Sequence, residues 1–345
     1  MSFLKGSTED SYKPVVNGDT TAASYWFNWR VLLCALCILV SAVFSLFMIW
    51  KYEDRRKSDG HVTGEDTTNQ EHGGLLYDDE MWSPCLKGVH PGWLLGFRVV
   101  AFFVLLVMLI IIAFVDGGSI FYYYTQWTFT LITIYFGLGS LLSSYGCYEY
   151  RHRPLGDKVD DMEIGSERGV YSPNAPDSGS KAFNKKPTPK EGRKLADIWG
   201  YLFQIIFQMN AGAVVLTDCV FWFIIVPFLA INNYSLSFLD INMHTINVVL
   251  LIGDTALNCL RFPLFRIGYF FMWTVTFVIF QWILHACVSI WWPYPFLDLA
   301  SSFAPLWYIA VALMHLPCYG IFVLVIKLKH FLLSRWFPQS YQRAR

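Results

Sequence analysis

The sequence predicts an all-α integral membrane protein, a polytopic transmembrane helical bundle of about seven spans joined by polar loops. Apolar residues fill 55% of the 345 positions and charged residues only 15%, against about 45–50% and about 25% in soluble proteins. The mean hydropathy is +0.40. Several apolar runs reach the length of about 20 residues that a helix needs to cross the hydrocarbon core. The net charge is zero, so no global field recruits nucleic acid.

Seven apolar runs are expected to form the transmembrane helices. A tight-turn sequence, Asp116-Gly117-Gly118, separates the second run from the third, which predicts a helical hairpin. Polar residues such as Gln204 and Asp218 interrupt the fourth run, which is therefore either one tilted helix or two shorter pieces. In chain order the runs are 31–50, 99–115, 121–146, 198–226, 239–260, 267–291 and 303–326.

The distribution of basic residues predicts the orientation, because cytosolic loops carry an excess of Lys and Arg. Lys5, Lys13 and Arg30 lie on the side of the amino terminus, and the remaining 23 of the 26 basic residues lie on the other side. The chain is therefore expected to begin outside or in a lumen and to end in the cytosol. The predicted organisation is an exoplasmic tail 1–30, a first span 31–50, a cytosolic loop 51–98, a hairpin 99–147, a disordered cytosolic loop 148–194, four spans within 195–327 and a cytosolic tail 328–345.

The fifth run contains polar residues at helical spacing. Asp240, His244, Asn247 and Asp254 follow one another at intervals of 4, 3 and 7 positions, which places them on one face of a continuous helix. A carboxylate at the centre of the bilayer costs about 2.5–3.5 kcal/mol even on the most lenient scale. This face is therefore expected to point at other helices rather than at lipid.

Neighbouring runs contain polar side chains that would face the polar side of the fifth helix. Asp218 and Gln208 in the fourth run and His285 in the sixth are expected to support a shared polar cavity. The alternative is that these groups only join helices, because an interhelical hydrogen bond stabilises a bundle by about 0.6 kcal/mol on average.

The predicted depth of these residues in the membrane indicates a candidate catalytic pair. The third and fifth runs both start at the predicted outer face, so Thr125 and His244 lie at similar depth. A hydroxyl becomes a useful nucleophile when a neighbouring base, usually neutral imidazole, removes its proton. Asn247 or Asp240 is placed to orient the imidazole ring, whereas Asp254 lies about 15 Å deeper at 1.5 Å per residue.

Two other uses of the same residues remain open. Histidines 244, 285 and 315, with Asp218 or Asp254, would supply metal ligands from several helices. No HxxH, HxxxH or HExxH pair occurs, so the spacing that identifies a metal site is missing, and neither a metal nor a cofactor is predicted. Seven spans and an outer amino terminus also suggest a receptor, but "YGCYEYRHR" at the end of the third run lacks the marks of G-protein-coupled receptors.

Four segments resemble a known family. "YYYTQWTFTLITIYFG", "HTINVVLLIGD", "RFPLFRIGYFF" and "WWPYPFLDL" are similar to Rolling stone, an insect membrane protein linked to myoblast fusion, and to its plant relatives. The likeness runs from about residue 99 to the carboxyl end and excludes the third loop. More distantly, the chain resembles the androgen-induced family of membrane hydrolases, which cleave fatty-acid esters of hydroxy fatty acids with a threonine and a histidine.

The more distant resemblance implies roles for individual residues. Thr125 in "YYYTQW" would be the nucleophile and His244 in "NMHT" the base, and Asp254 stands where those hydrolases carry a glutamate. The additional first span and the long third loop depart from that pattern, and a shared fold does not transfer an activity.

The resulting hypothesis is hydrolysis of a lipid-like ester within the membrane by Thr125 and His244. Its setting is the lipid bilayer, in an endomembrane or the plasma membrane, and it involves no nucleic acid. The sequence does not identify a protein partner. The alternative is a non-catalytic membrane protein in adhesion, fusion or signalling, whose polar face holds the bundle together.

Overall fold

The computed structural model describes residues 19–53, 76–152, 194–227 and 238–341. These residues form helices and no β-strand, and six of the helices are long and apolar enough to cross a membrane. The chain is therefore an all-α, multi-pass membrane protein, as predicted. The helices are α1 (Ala23–Trp26), α2 (Trp29–Glu53), α3 (Pro91–Asp116), α4 (Tyr124–His152), α5 (Ile198–Val220), α6 (Phe238–Met243), α7 (Ile246–Leu257), α8 (Ile267–Cys287) and α9 (Ala304–Trp336).

Local sequence explains where several helices begin and end. The side chain of His90 accepts a hydrogen bond from the Gly92 amide, and Pro91 occupies the first helical position of α3, where its missing N–H costs nothing. Asp197 caps α5 in the same way by accepting from the Gly200 amide. Gly117, with a φ of 71°, ends α3 and starts the turn into α4.

The helix bounds differ from the predicted ones in two informative places. Helix α3 begins at Pro91, eight positions before the predicted start, so Arg98 lies inside a helix rather than at the edge of a loop. Helix α4 continues to His152, into the segment predicted to be disordered. The rest of that predicted disorder, from residue 153 to 193, falls outside the described residues.

The fifth predicted span is not one continuous helix. It is divided into α6 and α7 by a turn at His244 and Thr245, and α7 has only 12 residues. The pair nevertheless passes from one end of the bundle to the other. Met243 accepts a hydrogen bond from Gln126 in the first turn of α4, and the carbonyl of Asn258, just after α7, accepts one from Lys329 near the end of α9.

The two ends of the bundle have different chemistry. At one, which we name the arginine end, Arg98, Arg261 and Arg266 form ion pairs with Asp254, Glu80 and Glu53. At the other, the aromatic end, Tyr25, Trp292 and Asp298 are joined by hydrogen bonds. Helix α2 starts at the aromatic end, where Arg30 donates to the Ala300 carbonyl, and α9 finishes at the arginine end.

Aromatic side chains dominate the core between these ends. Tyr135 stacks on Phe203 with 4.7 Å between ring centroids and an interplanar angle of 2°. Glycines allow other rings to approach helix backbones: a Cβ added at Gly212 of α5 would lie 2.3 Å from the Phe270 ring of α8. Phe270 is fully buried, so its ring cannot move away into solvent.

We therefore expect Gly212→Ala to lower the stability of the bundle by about 1–3 kcal/mol, the usual effect of overpacking a core. Gly320→Ala is the matched control, since nothing lies within 4 Å of a Cβ added there. Thermal unfolding of the two variants in detergent measures the difference. Equal stability of the two proteins would contradict the close packing of α5 against α8.

Candidate functional site

The structure buries nearly all the polar residues that the sequence selected. Thr125, Gln208, His244, Asn247, Asp254 and His285 are each at most 9% exposed, and the side chain of Asp218 is 14% exposed. The polar face of the fifth segment thus points into the protein, in spite of the break at His244. The side chain of Asp240 lies outside the described part of the chain.

Asp254 belongs to a fully buried ion pair. The Arg98 guanidinium donates through Nε to Asp254 Oδ1 at 2.7 Å and through Nη2 to Oδ2 at 3.4 Å. The Tyr135 hydroxyl and Asn258 Nδ2 also donate to Oδ2. The carboxylate therefore has four donors, enough to replace the water that it loses on burial.

The guanidinium of Arg98 is equally well satisfied. Its Nη1 donates to the Met81 carbonyl and to the Ser143 hydroxyl, both at 2.7 Å, and its Cζ lies 4.9 Å from the Phe203 ring centroid. The Arg98 side chain, on α3, therefore contacts residues of the loop before α3 and of α4, α5 and α7. Such a network is structural, because no polar atom of the Asp254 carboxylate is left to face a substrate.

The same network extends to the surface loop of the arginine end. The carbonyl of Asn258 accepts from Lys329 Nζ at 2.6 Å and from Cys85 Sγ at 3.0 Å. A hydrogen bond from Cys259 and the positive charge of Lys329 lower the pKa of the Cys85 thiol to about 7. Cys85 is 1% exposed, so this thiol is shielded from reagents in water.

Sequence reasoning missed Arg98 as the partner of Asp254. The signal was present in His90-Pro91, a capping residue followed by proline, which marks a helix start eight positions before the apolar run. A helix from Pro91 places Arg98 about two turns inside it. Arg266, which is also fully buried, was missed because its partners Glu53 and Gln204 lie on α2 and α5, far from it in sequence.

His244 has a different partner from those expected. Its Nδ1 lies 3.3 Å from Asp218 Oδ1, and its ring stacks on Phe221 with centroids 3.8 Å apart. Phe221 begins a π-helical turn, Phe221–Ile225, at the end of α5, and such turns often occur at functional sites. Asp218, which lies on another helix, is therefore placed to orient the ring. Asn247 also interacts with the Asp218 carboxylate.

Thr125 lies close to this pair in the fold but does not bond to His244. Its Oγ1 is 3.5 Å from the Tyr294 hydroxyl. The next residue, Gln126, donates to Met243, which immediately precedes His244. The first turn of α4 therefore borders the turn that carries His244, although no direct hydrogen bond joins Thr125 to His244 among the described residues.

The remaining candidates are separated from one another. Gln208 accepts from Tyr319 at 3.4 Å, and His285 lies against Trp292 with ring centroids 3.6 Å apart. His315 bonds to Thr274 at 2.8 Å. Within the described ranges, no three His, Cys, Asp or Glu side chains lie close enough together to hold a metal ion. The three histidines of the metal alternative thus have three separate environments.

The geometry at the aromatic end matches one part of a hydrolytic site. A histidine held by a carboxylate through Nδ1 leaves Nε2 free to accept a proton, which is the arrangement of a base and its orienting group. No family model, no curated protein and no solved structure matches the chain.

The buried ion pair at the arginine end gives a stability prediction. Asp254→Leu leaves the Arg98 charge unpaired, and we expect it to destabilise the protein by about 3–5 kcal/mol, as does Arg98→Met. The double variant should be less destabilised than the sum of the two, because no lone charge remains. Thermal unfolding in detergent gives these values, with the exposed Arg335→Ala as control. Single variants as stable as that control would show that the pair does not hold the bundle.

Proposed function

We propose that this membrane protein hydrolyses ester bonds of lipid-like substrates at its aromatic end. The observation that carries the proposal is the His244–Asp218 pair, contributed by two helices beside the first turn of α4. In this assignment His244 is the base, Asp218 orients it and Thr125 is the nucleophile. The resemblance to the androgen-induced hydrolases implies the same threonine and histidine.

The chemistry follows from the orientation of the ring. Asp218 accepts the Nδ1 proton of neutral His244, so Nε2 takes the proton of the Thr125 hydroxyl as Oγ1 attacks the acyl carbon. The acyl–oxygen bond of the ester breaks, and Nε2 returns the proton to the departing alcohol. Water then cleaves the acyl-threonine by the same route and releases the acid.

Formation of this centre requires Thr125 to exchange one partner. Its hydroxyl lies 3.5 Å from that of Tyr294, a long hydrogen bond that is easily given up. Catalytic hydrogen bonds often shorten only when substrate is present. In the substrate-bound state Tyr294 is then free to donate to the developing oxyanion.

The test is covalent labelling of the detergent-purified protein by a fluorophosphonate probe, with the modified residue identified by mass spectrometry. We expect the label on Thr125, none with Thr125→Ala, and a rate at least about 100-fold lower with His244→Ala, the usual contribution of a general base. Thr245→Ala is the control, because its exposed hydroxyl donates only to the Ile241 carbonyl. Labelling that survives both substitutions ends the catalytic proposal.

The second candidate function is a non-catalytic role in adhesion, fusion or signalling. The Thr125–Tyr294 contact favours it, since it already satisfies the threonine hydroxyl as a link between helices. In that case Thr125→Ala and His244→Ala reduce thermal stability while the purified wild-type protein takes up no probe.

The orientation is tested independently of the chemistry. Cys287 is exposed at the aromatic end, and Cys147 lies near the end of α4 at the arginine end. With the aromatic end exoplasmic, a membrane-impermeant maleimide added to intact cells labels Cys287 and leaves Cys147 unlabelled until the membrane is opened. Labelling of Cys147 alone in intact cells would reverse the assigned orientation.

A further inference from the structure

Two cysteines meet at the arginine end, where the loop before α3 lies against the end of α7. The two segments run antiparallel, with a backbone bridge between Pro84 and Asn258, and the Cys85 amide donates to the Leu257 carbonyl at 3.2 Å. This pairing brings Cys85 beside Cys259, and the two thiols are hydrogen-bonded. Both cysteines are free thiols and are nearly completely buried, at 1% and 6% exposed.

A buried cation, Lys329 of α9, lies beside Cys85. Its Nζ donates to the Asn258 carbonyl at 2.6 Å, and the Cys85 thiol donates to the same oxygen at 3.0 Å. Among the described residues, the carboxylates of the ion pairs are bound to other cations than Lys329. Because a buried charge without a counter-ion is costly, the group best placed to balance this ammonium is a Cys85 thiolate.

The chemistry of Cys85 therefore differs from that of an ordinary buried thiol. The hydrogen bond from Cys259 and the positive charge of Lys329 hold the pKa of Cys85 at about 7, below the value of about 8.5 for a free cysteine. About half of the Cys85 side chains are then thiolates at neutral pH. The thiolate is the form that oxidants attack, and an adjacent thiol converts the first product into a disulfide.

We propose that Cys85 is a peroxide-reactive cysteine that forms a disulfide with Cys259, with Lys329 as the counter-ion of its thiolate. The thiolate attacks one oxygen of hydrogen peroxide, the O–O bond breaks, and the departing hydroxide takes up the proton that Cys85 released on ionising. The Cys259 thiol then attacks the sulfenic sulfur, forms the S–S bond and releases a second water. The two thiols together lose two electrons and two protons, and the peroxide is reduced to two waters.

Burial determines which oxidants react at this site. The loop is joined to the rest of the described chain by single bridges, such as that between Leu86 and Tyr341, so it can open locally while the bundle stays folded. Hydrogen peroxide is similar in size to water and needs only a small opening, whereas glutathione disulfide needs a large one. We therefore expect an internal disulfide rather than a mixed one.

The disulfide would also have a structural effect. The loop and the end of α7 both cover the buried ion pair, because the Met81 carbonyl accepts from Arg98 and the Asn258 side chain donates to Asp254. A covalent link between the two segments restricts the unfolded chain. Oxidation should therefore raise the midpoint of thermal unfolding in the wild-type protein, and dithiothreitol should reverse the rise.

The test treats the reduced full-length protein in detergent with hydrogen peroxide and maps its disulfides by mass spectrometry after denaturation and alkylation. We expect a peptide cross-linked through Cys85 and Cys259, which dithiothreitol separates. The same protein contains a matched control pair, Cys219 and Cys318 on α5 and α9, whose thiols are also hydrogen-bonded to each other. The charged group beside that pair is the Asp218 carboxylate rather than a cation, so we expect it to stay reduced.

Substitutions separate the roles of the three side chains. Cys259→Ser should stop the reaction at the sulfenic acid of Cys85, which dimedone traps, and should remove the rise in thermal stability. Lys329→Gln should slow the loss of the Cys85 thiol about tenfold, because a free cysteine is only about 3% ionised at pH 7. Lys329→Arg keeps the charge and should keep the rate. Lys327→Gln, at an exposed position of the same helix, is the control.

The wild-type measurement decides the proposal even if Lys329→Gln folds poorly. A Cys85 that stays reduced at a peroxide concentration that oxidises the exposed Cys287 would overturn it. Oxidation of Cys219 and Cys318 at the same rate would also overturn it, because the reaction would then be unselective.

Equal rates for folded Lys329→Gln and Lys327→Gln would remove the lysine from the site. None of these outcomes depends on the proposed catalytic residues at the aromatic end, so the hydrolase proposal stands or falls separately.

Discussion

The Arg98–Asp254 ion pair is the constraint around which α3, α4, α5 and α7 are arranged. Two opposite charges in a medium of low dielectric constant are tolerated only when both are paired and fully hydrogen-bonded. Here Arg98 of α3 and Asp254 of α7 are satisfied by groups from two further helices and a loop. These are Tyr135 and Ser143 of α4, the Met81 carbonyl of the loop, and the Phe203 ring of α5, which lies over the guanidinium. Each contribution fixes the position of its helix, so the requirement to satisfy one buried charge also sets the register of its neighbours.

The polar groups of the two ends therefore have different roles. At the arginine end the charges are paired with one another, and the segment before α3 covers them through contacts such as Trp82 against Gly146. At the aromatic end the histidine–carboxylate contact is longer, at 3.3 Å, and the Asp218 side chain is 14% exposed, whereas that of Asp254 is fully buried. A partly exposed carboxylate beside an imidazole is suited to proton transfer, whereas a buried and saturated one is suited to structure. The stabilising ion pair and the proposed chemistry therefore lie at opposite ends of the same helices.

The sequence was sufficient to predict the class of protein and the burial of His244, Asn247 and Asp254, because hydropathy and helical periodicity are local properties. It was not sufficient to identify their partners. Arg98 and Asp254 are 156 positions apart. Asp218 faces His244 because the end of α5 lies beside the turn between α6 and α7. The continuous helix assumed for the fifth span was wrong, since a periodic pattern does not reveal a turn between two short helices of the same polarity. The structure also contains a threonine–histidine contact between Thr274 and His315.

Two consecutive residues at the start of α4 connect the surroundings of two histidines. Tyr124 bonds to Thr274, whose hydroxyl also lies 2.8 Å from His315 Nε2, while Thr125 bonds to Tyr294. Successive side chains on a helix point about 100° apart, so one rigid turn directs these two hydroxyls to different partners. The proposed catalytic role of Thr125 therefore requires only its own side chain to change partner, while the Tyr124–Thr274 contact keeps the start of α4 in place against α8.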